Sequence, residues 1–225
     1  MAEVVLEAKN VAHSYEEGHP ILQDVNFTLR QGESVAVQGP SGVGKTTLLE
    51  ILGTMREPSE GVVKLYGDEV YSLSLGERAL LRGQRLGFVF QESLLLPDLT
   101  LWENCRLAVV LSGCGWSKDK IWARFKELME CLGLSAKRAD SRPGEMSTGE
   151  RQRVAVVRSL MHKPVLLIAD EPTGNLDTES SEKLMDLLLP LAREENAGIL
   201  VATHDSVLAG SLGSIYEIKK WRTGE

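Results

Sequence analysis

The stretch Gly39-Pro40-Ser41-Gly42-Val43-Gly44-Lys45-Thr46 constrains the chain more than any other. An apolar run, Ser34 to Val37, leads into it, and a helical pattern follows it (Thr47, Leu48, Leu49, Ile51, Leu52). Strand, glycine-rich loop and helix, in that order, make an anion-binding turn. Glycines at 39, 42 and 44 let the backbone turn tightly and aim successive N–H groups at one point, and the helix beginning near Gly44 adds the positive end of its dipole. The loop should therefore cradle a triphosphate. Lys45 would stand as a point charge against the outer phosphates, and the Thr46 hydroxyl would be a magnesium ligand.

Bulk properties narrow what surrounds the loop. With 225 residues, 43% of them hydrophobic, the chain can bury a real core and fits one domain. A formal net charge of −7 leaves no chain-wide basic footprint, so nucleic acid is not an expected partner. Cys105, Cys114 and Cys131 form no CxxC pair and are odd in number, which predicts free, mostly buried thiols rather than disulfides or a zinc site. The start, Met1-Ala2-Glu3, is polar and acidic, so no signal peptide is expected. No apolar stretch approaches the roughly 20 residues a spanning helix needs. Any membrane role is expected to go through a partner.

Along the chain, residues 4–15 and 22–30 alternate apolar and polar, which predicts antiparallel strands joined by the turn at 16–20. Tyr15 ends the first of them, where it could stack on a nucleotide base, a contact worth roughly 1–3 kcal/mol, or simply pack. Gly61 to Gly67 reads as a short strand and turn, Leu75 to Gln84 as a helix, and Leu86 to Phe90 as a buried strand ending at Gln91. From about Glu92 to Arg142 the composition turns helical. Trp102, Leu107 and Val110 fall on one helix, and Ile121, Phe125, Leu128, Met129 and Leu132 on a second, with spacing of three to four residues. The expectation is a helical subdomain inserted at 92–158 within one domain spanning 1–225.

Ser147 followed three residues later by Glu150 is a capping box, so a helix should start there and run to about His162. Such a start presents N–H groups and a hydroxyl to an anion, although by itself the pattern marks only a well-capped helix. Val165 to Ala169 is a continuous apolar run of the kind buried in a parallel sheet, and it delivers Asp170 and Glu171 at its end. Two adjacent carboxylates there are costly unless a metal or a proton transfer uses them. Gly198 to Thr203 is a further strand, ending at His204-Asp205. An isolated histidine is most simply structural, but this one sits at the sheet edge where open α/β folds bind ligands.

These stretches, in this order, resemble the ATP-binding subunit of ABC transporters over essentially the whole chain. The resemblance implies an α/β P-loop NTPase core with an antiparallel β edge layer and an inserted helical subdomain. It also assigns roles. Gly39 to Thr46, with Thr47 behind them, would match the Walker A loop, and Tyr15 the aromatic that stacks on adenine. Gln91 would be the Q-loop glutamine that contacts magnesium and senses the transmembrane partner, with Thr46 and Asp170 as the other magnesium ligands. Ser147, Gly149 and Glu150 would belong to the signature motif, and Asn175-Leu176-Asp177 to the D-loop. Glu171 would be the catalytic base and His204 the switch histidine, acting with Lys45. Two copies of the family's subunit pair head to tail, so the Ser147 helix of one closes over ATP held by Lys45 of the other. The implied partners are thus a second copy and integral-membrane permease subunits. The implied location is peripheral, on the cytoplasmic face of the inner membrane.

One position departs from the family pattern: Thr148 stands where the signature usually has a glycine after the serine. A Cβ there is compatible with helical dihedrals, so the helix should still form, with a slower or more weakly dimerising site. The run Asp170 to Asp177, Gly149 to Arg153 and Leu94 to Thr100 resemble the lipoprotein-releasing, macrolide-export and cell-division group. Leu81 to Phe88 and Arg142 to Glu145 look most like the lipoprotein-releasing ATPase. A cell-division regulator that moves no cargo stays open as an alternative, because its ATP site would look the same. With about 20 residues after His204, neither a regulatory C-terminal domain nor a fused permease is expected.

Overall fold

A computed structural model describes residues 2–16 and 19–218. Strand β1 (Val4–Glu16) pairs antiparallel with β2 (His19–Arg30), with Leu6 opposite Leu29 and Ala8 opposite Phe27. Both expected strands are therefore present, β2 starting earlier than expected; Glu17 and Gly18 of the expected turn lie outside the described residues. Leu22 and Val25 are three apart yet both buried, because the register shifts between their partners and Asp24 takes φ 48°. An extra residue of this kind turns the alternation by one and keeps the apolar side facing in. Strands β3 (Ser34–Gln38), β4 (Glu60–Leu65) and β5 (Asp68–Glu69) follow, with helix α1 (Lys45–Leu52) after β3. The first sheet has the order β2-β1-β4-β5 and is antiparallel throughout.

The second sheet contains β3, β6 (Leu86–Val89), β7 (Leu166–Asp170), β8 (Gly198–Ala202) and β9 (Ser214–Glu217), all parallel, in the order β6-β7-β8-β3-β9. Its side chains divide by the two-residue period of a strand. Leu166, Ile168, Leu200, Ala202, Val35 and Val37 point into a core shared with α1 and the antiparallel sheet. Leu167, Ala169, Ile199, Val201 and Ala36 point the other way, into a core shared with the helices. Burial on both faces explains why these strands read as unbroken apolar runs.

Those helices are α2 (Leu75–Arg85), α3 (Leu101–Ser112), α4 (Lys118–Cys131), α5 (Thr148–Leu160), α6 (Thr178–Glu194) and the short α7 (Ser206–Ser211). Ser74, Thr100 and Ser147 cap α2, α3 and α5 with reciprocal capping boxes, each satisfying two N–H groups the helix cannot. The box at Ser147 is as expected, and α5 ends at Leu160, just short of His162. On α4 the expected face holds: Ile121, Phe125, Leu128 and Met129 are buried, as is Leu132 beyond it. Trp102 meets Trp122 edge-on at 5.0 Å and Phe125 at 5.2 Å, joining α3 to α4.

The expected face of α3 needs correction. Trp102 and Leu107 are half-buried and Val110 is exposed, while Leu101, Asn104, Cys105 and Val109 face the core. Asn104 is buried because its amide serves the preceding loop, accepting from Leu96 N at 2.7 Å and donating to the carbonyls of Leu99 and Thr100. A polar residue with that task is invisible to a hydrophobic pattern. The cysteines also differ from expectation: Cys105 is buried, and burial pushes its thiol up to about 12, whereas Cys114 and Cys131 are exposed. No described helix is long and apolar enough to cross a membrane.

Candidate active site

Register sets the site. Val37 of β3 pairs with Ala202 of β8, and Ala202 with Asp170 of β7, so three strands end at one level. The loop 39–46, Glu171 and His204 leave from those ends side by side, and Gln91 follows β6 on the neighbouring strand. Lys45, Gln91, Glu171 and His204 line a cavity of about 440 Å³ with Tyr15, Ile21, Ser41, Gly42, Gly44, Thr46, Thr47 and Asp170, in the size range of small-molecule sites, whereas Gly39, Pro40 and Val43 of the loop do not line it.

Within the loop the glycines do different work. Gly42 and Gly44 take φ 76° and 104°, which L side chains rarely adopt. Gly39 has no positive φ, and a Cβ there would meet Val43 Cγ1 at 2.8 Å and Ile218 O at 2.9 Å. Its smallness makes room for packing under the loop, where Val43 is buried. No side chain caps α1, in contrast to α2, α3 and α5. Its first N–H groups thus remain for an anion. Lys45 is buried, with Nζ donating to Gly39 O at 2.9 Å and Pro40 O at 3.3 Å and lying 3.8 Å from Glu171 Oε1. Two carbonyls and a carboxylate thus hold the ammonium under the loop.

Asp170 ends β7 with Oδ1 buried and without a hydrogen-bond partner. Burial raises its carboxyl above the usual range, the Thr46 side chain pulls it back, and the Glu171 charge raises it again. An orphaned carboxylate oxygen beside a threonine hydroxyl is a donor set for a hard cation. No group of three or more His, Cys, Asp or Glu that could hold a metal occurs among the described residues. A magnesium ion bound here would complete its shell from phosphate and water, as that ion commonly does.

Glu171 has φ 46°, an uncommon conformation for a residue with a side chain, and its N–H donates to Ala202 O at 2.9 Å. Strain of this sort costs about 1–3 kcal/mol and persists where the surroundings impose it. Here it turns the carboxylate into the cavity. Oε2 lies 2.9 Å from His204 Nδ1, whose ring is otherwise exposed.

Tyr15 is more than half exposed, and its hydroxyl shares a 2.9 Å hydrogen bond with Thr47 Oγ1. Gln91 is bridged to Asn175: Asn175 Nδ2 donates to Gln91 O at 3.1 Å. Ser147, Gly149 and Glu150 are not among the residues lining this cavity. Ser147 N donates to Glu150 Oε2 at 2.9 Å, and this bond is the chief reason the Glu150 carboxyl lies below the usual range; Arg138 pairs with the same side chain at 2.7 Å. Thr148 is exposed, and its hydroxyl accepts from Arg151 Nη2 at 3.1 Å.

Three contributors were not legible in the sequence. Ile21 lines the cavity, Arg56 lies over the Tyr15 ring, and buried Gln152 donates to Phe90 O at 2.7 Å and Pro172 O at 2.9 Å, tying α5 to the ends of β6 and β7. Ile21 and Arg56 carry no local motif, and Gln152, although inside the run Gly149 to Arg153, bonds to residues distant in sequence. A larger groove of about 780 Å³ lies elsewhere, lined by Met55, Leu80, Leu94, Leu96 and Leu111 among others. It is mostly apolar and lacks a phosphate cradle, so the chemistry belongs to the smaller cavity.

Residues 22–174 match the ABC transporter family. The chain belongs to that family. This ABC cassette is an ATPase, with the α/β fold its motifs implied. It is 43% identical over 198 residues to lipoprotein-releasing system ATP-binding protein LolD 1 of Rhodopirellula baltica, covering 88% of this chain and 85% of that one. It is 41% identical over 217 residues to the LolD protein of Shewanella oneidensis, covering 94% and 92%. Among solved structures it resembles the dimeric, post-hydrolysis form of the ATP-binding cassette MJ0796 bound to ADP and Pi. The TM-score is 0.87 and the identity 35%, over 96% of this chain and 94% of that one.

Proposed function

We propose that this chain hydrolyses ATP between two copies of itself and uses the cycle to drive a membrane permease in lipoprotein release from the inner membrane. The observation that carries the enzymatic part is the convergence of Lys45, Asp170, Glu171 and His204 on one cavity. The dimer of MJ0796 and the names of the LolD relatives support the rest.

In this reading water attacks the γ-phosphorus in line; its oxygen bonds to phosphorus as the bond to the β–γ bridging oxygen breaks. Glu171 orients the water and takes its proton, and His204 holds the γ-phosphate and the Glu171 carboxylate together. Lys45 and the uncapped N–H groups of α1 meet the phosphate charge, so catalysis is mostly positioning and preorganised electrostatics. Thr46, Asp170 and Gln91 would hold magnesium, which when bound neutralises charge across the phosphates. Tyr15 receives the adenine.

Ser147, Gly149 and Glu150 stand outside the cavity of their own chain, so we assign them to the cavity of a second copy packed head to tail. Residues 92–158 are the helical subdomain that carries them there. The apolar groove beside Leu94 and Leu96 is the face that suits a permease, because it adjoins the segment leaving Gln91. The cassette would then be peripheral, on the cytoplasmic side. The test is to recover the Glu171→Gln variant with ATP from native membranes and identify what co-purifies, with the nucleotide-free wild type as control. Permeases that also bind lipoproteins are the expected result. Permeases tied to wall hydrolases would overturn the transport assignment and leave a mechanical regulator.

A further inference from the structure

Tyr15 is fastened to the phosphate-binding helix at two points. Its hydroxyl meets Thr47 Oγ1 at 2.9 Å, and Thr47 belongs to α1. The guanidinium of Arg56 lies over its ring, 4.9 Å from the centroid, and Arg56 is itself held by Glu50 of α1 at 2.6 Å. His13 meets the ring edge-on at 5.1 Å. Tyr15 lines the cavity and Arg56 does not, so the cation stands behind the ring as seen from the site. Tyr15 stays 56% exposed while lining the cavity, so part of the ring is open to the site. Thr47 is on α1, and Arg56 follows α1 and is tied back to it by Glu50, so the ring is held at a fixed distance from Lys45 and Thr46.

We propose that Arg56, fixed by Glu50, is a positioning residue for nucleotide binding: it holds the Tyr15 ring from behind so that the open face receives a base at a set span from the phosphates. This rests on the reading of the cavity as an ATP site. The physical basis is the attraction of a cation to an aromatic face, and the saving of ring-ordering entropy before the base arrives. A planar guanidinium locked by a carboxylate restrains a ring better than a free lysine would.

The test compares ADP, which carries a base, with pyrophosphate, which does not, by calorimetric titration in the presence of magnesium. Arg56→Ala is expected to weaken ADP about two- to fivefold while leaving pyrophosphate affinity nearly unchanged. Arg56→Lys should recover part of the loss, and Glu50→Gln should show part of it. In a Tyr15→Ala background, Arg56→Ala should have no further effect on ADP. An equal loss in that background would mean that Arg56 touches the nucleotide directly, and no loss in the wild-type background would mean that it does nothing; either result overturns the proposal. If Tyr15→Ala itself leaves ADP affinity intact, base stacking fails while the phosphate site stands. If the wild type binds neither ligand, it is the ATP-site reading that fails.

Discussion

His204 Nδ1 lies 2.9 Å from Oε2 of Glu171, while the other oxygen of the same carboxylate faces Lys45 Nζ at 3.8 Å. One carboxylate is thus aimed between a ring that can touch a terminal phosphate and a cation that can hold it. The positive φ of Glu171 is what makes the aim geometrically available.

In the proposed reaction Glu171 accepts the proton of the attacking water, which its amide could not do. Glu171→Gln is expected to lower ATP turnover by about 10²–10⁴-fold, the range typical of a lost general base. ATP-dependent dimerisation, read by light scattering, should survive, because the amide keeps the shape and the contact to His204.

Asp170 makes a prediction about pH. Burial raises its carboxyl in the folded protein, so the folded state binds the proton more tightly than the unfolded chain. The stability this group contributes is then full below its unfolded value and is lost as pH rises through the folded one. At neutral pH the ionised, unpartnered Oδ1 is a cost to the nucleotide-free protein. Asp170→Asn should therefore raise the melting temperature of the nucleotide-free protein near neutral pH, with the gain shrinking toward pH ~4. The same variant should lose most of the magnesium-dependent stabilisation by ATP, which in the wild type reaches about 2.7 kcal/mol at a hundredfold excess over Kd. Thermal melts with and without magnesium check both signs.

The two positive-φ glycines of the loop should not be equivalent. A Cβ on Gly44 would meet Leu22 Cδ2 at 3.0 Å and Ile21 O at 3.3 Å, whereas one on Gly42 would meet nothing within 4 Å. Gly42→Ala is expected to cost ~1–2 kcal/mol from the backbone conformation alone. Gly44→Ala adds the contact with β2 and should cost more and abolish nucleotide binding. Urea unfolding and nucleotide titration of the pair give the ordering.

Thr148 occupies the first helical position of α5 with its hydroxyl held by Arg151. The helix forms with threonine there, as expected, so any effect falls on how closely the backbone approaches phosphate. Thr148→Gly is expected to speed turnover or tighten ATP-dependent dimerisation. Unchanged values for both would remove the significance given to this residue.

The strands and the site residues beside them were legible because each is a local pattern: an apolar run, then the residue that leaves its end. Asp170, Glu171 and His204 are all of this kind. What could not be read locally depends on contacts made over distance. Asn104 is buried by a loop that needs its amide, so the inward face of α3 carries Asn104 and Val109, and Val110 is exposed. Arg56 meets Tyr15 only because the fold brings the end of β1 beside the segment after α1, and Gly39 is small because Val43 and Ile218 crowd it. Cys131 is exposed although free cysteines are usually buried, since it closes α4 on the solvent side.

In the proposed dimer each ATP site is completed by a second copy of the chain, and mixing two inactive variants tests this. Lys45→Met removes the cation from its own cavity, and Ser147→Asp keeps a competent helix cap while placing a carboxylate against phosphate. Each variant alone should hydrolyse almost no ATP. Mixed in equal amounts, they should regain activity, since about a quarter of the sites in a random two-fold mixture would carry neither change. Absence of any recovery, with mixed dimers shown to form, would contradict the account and confine each site to a single chain.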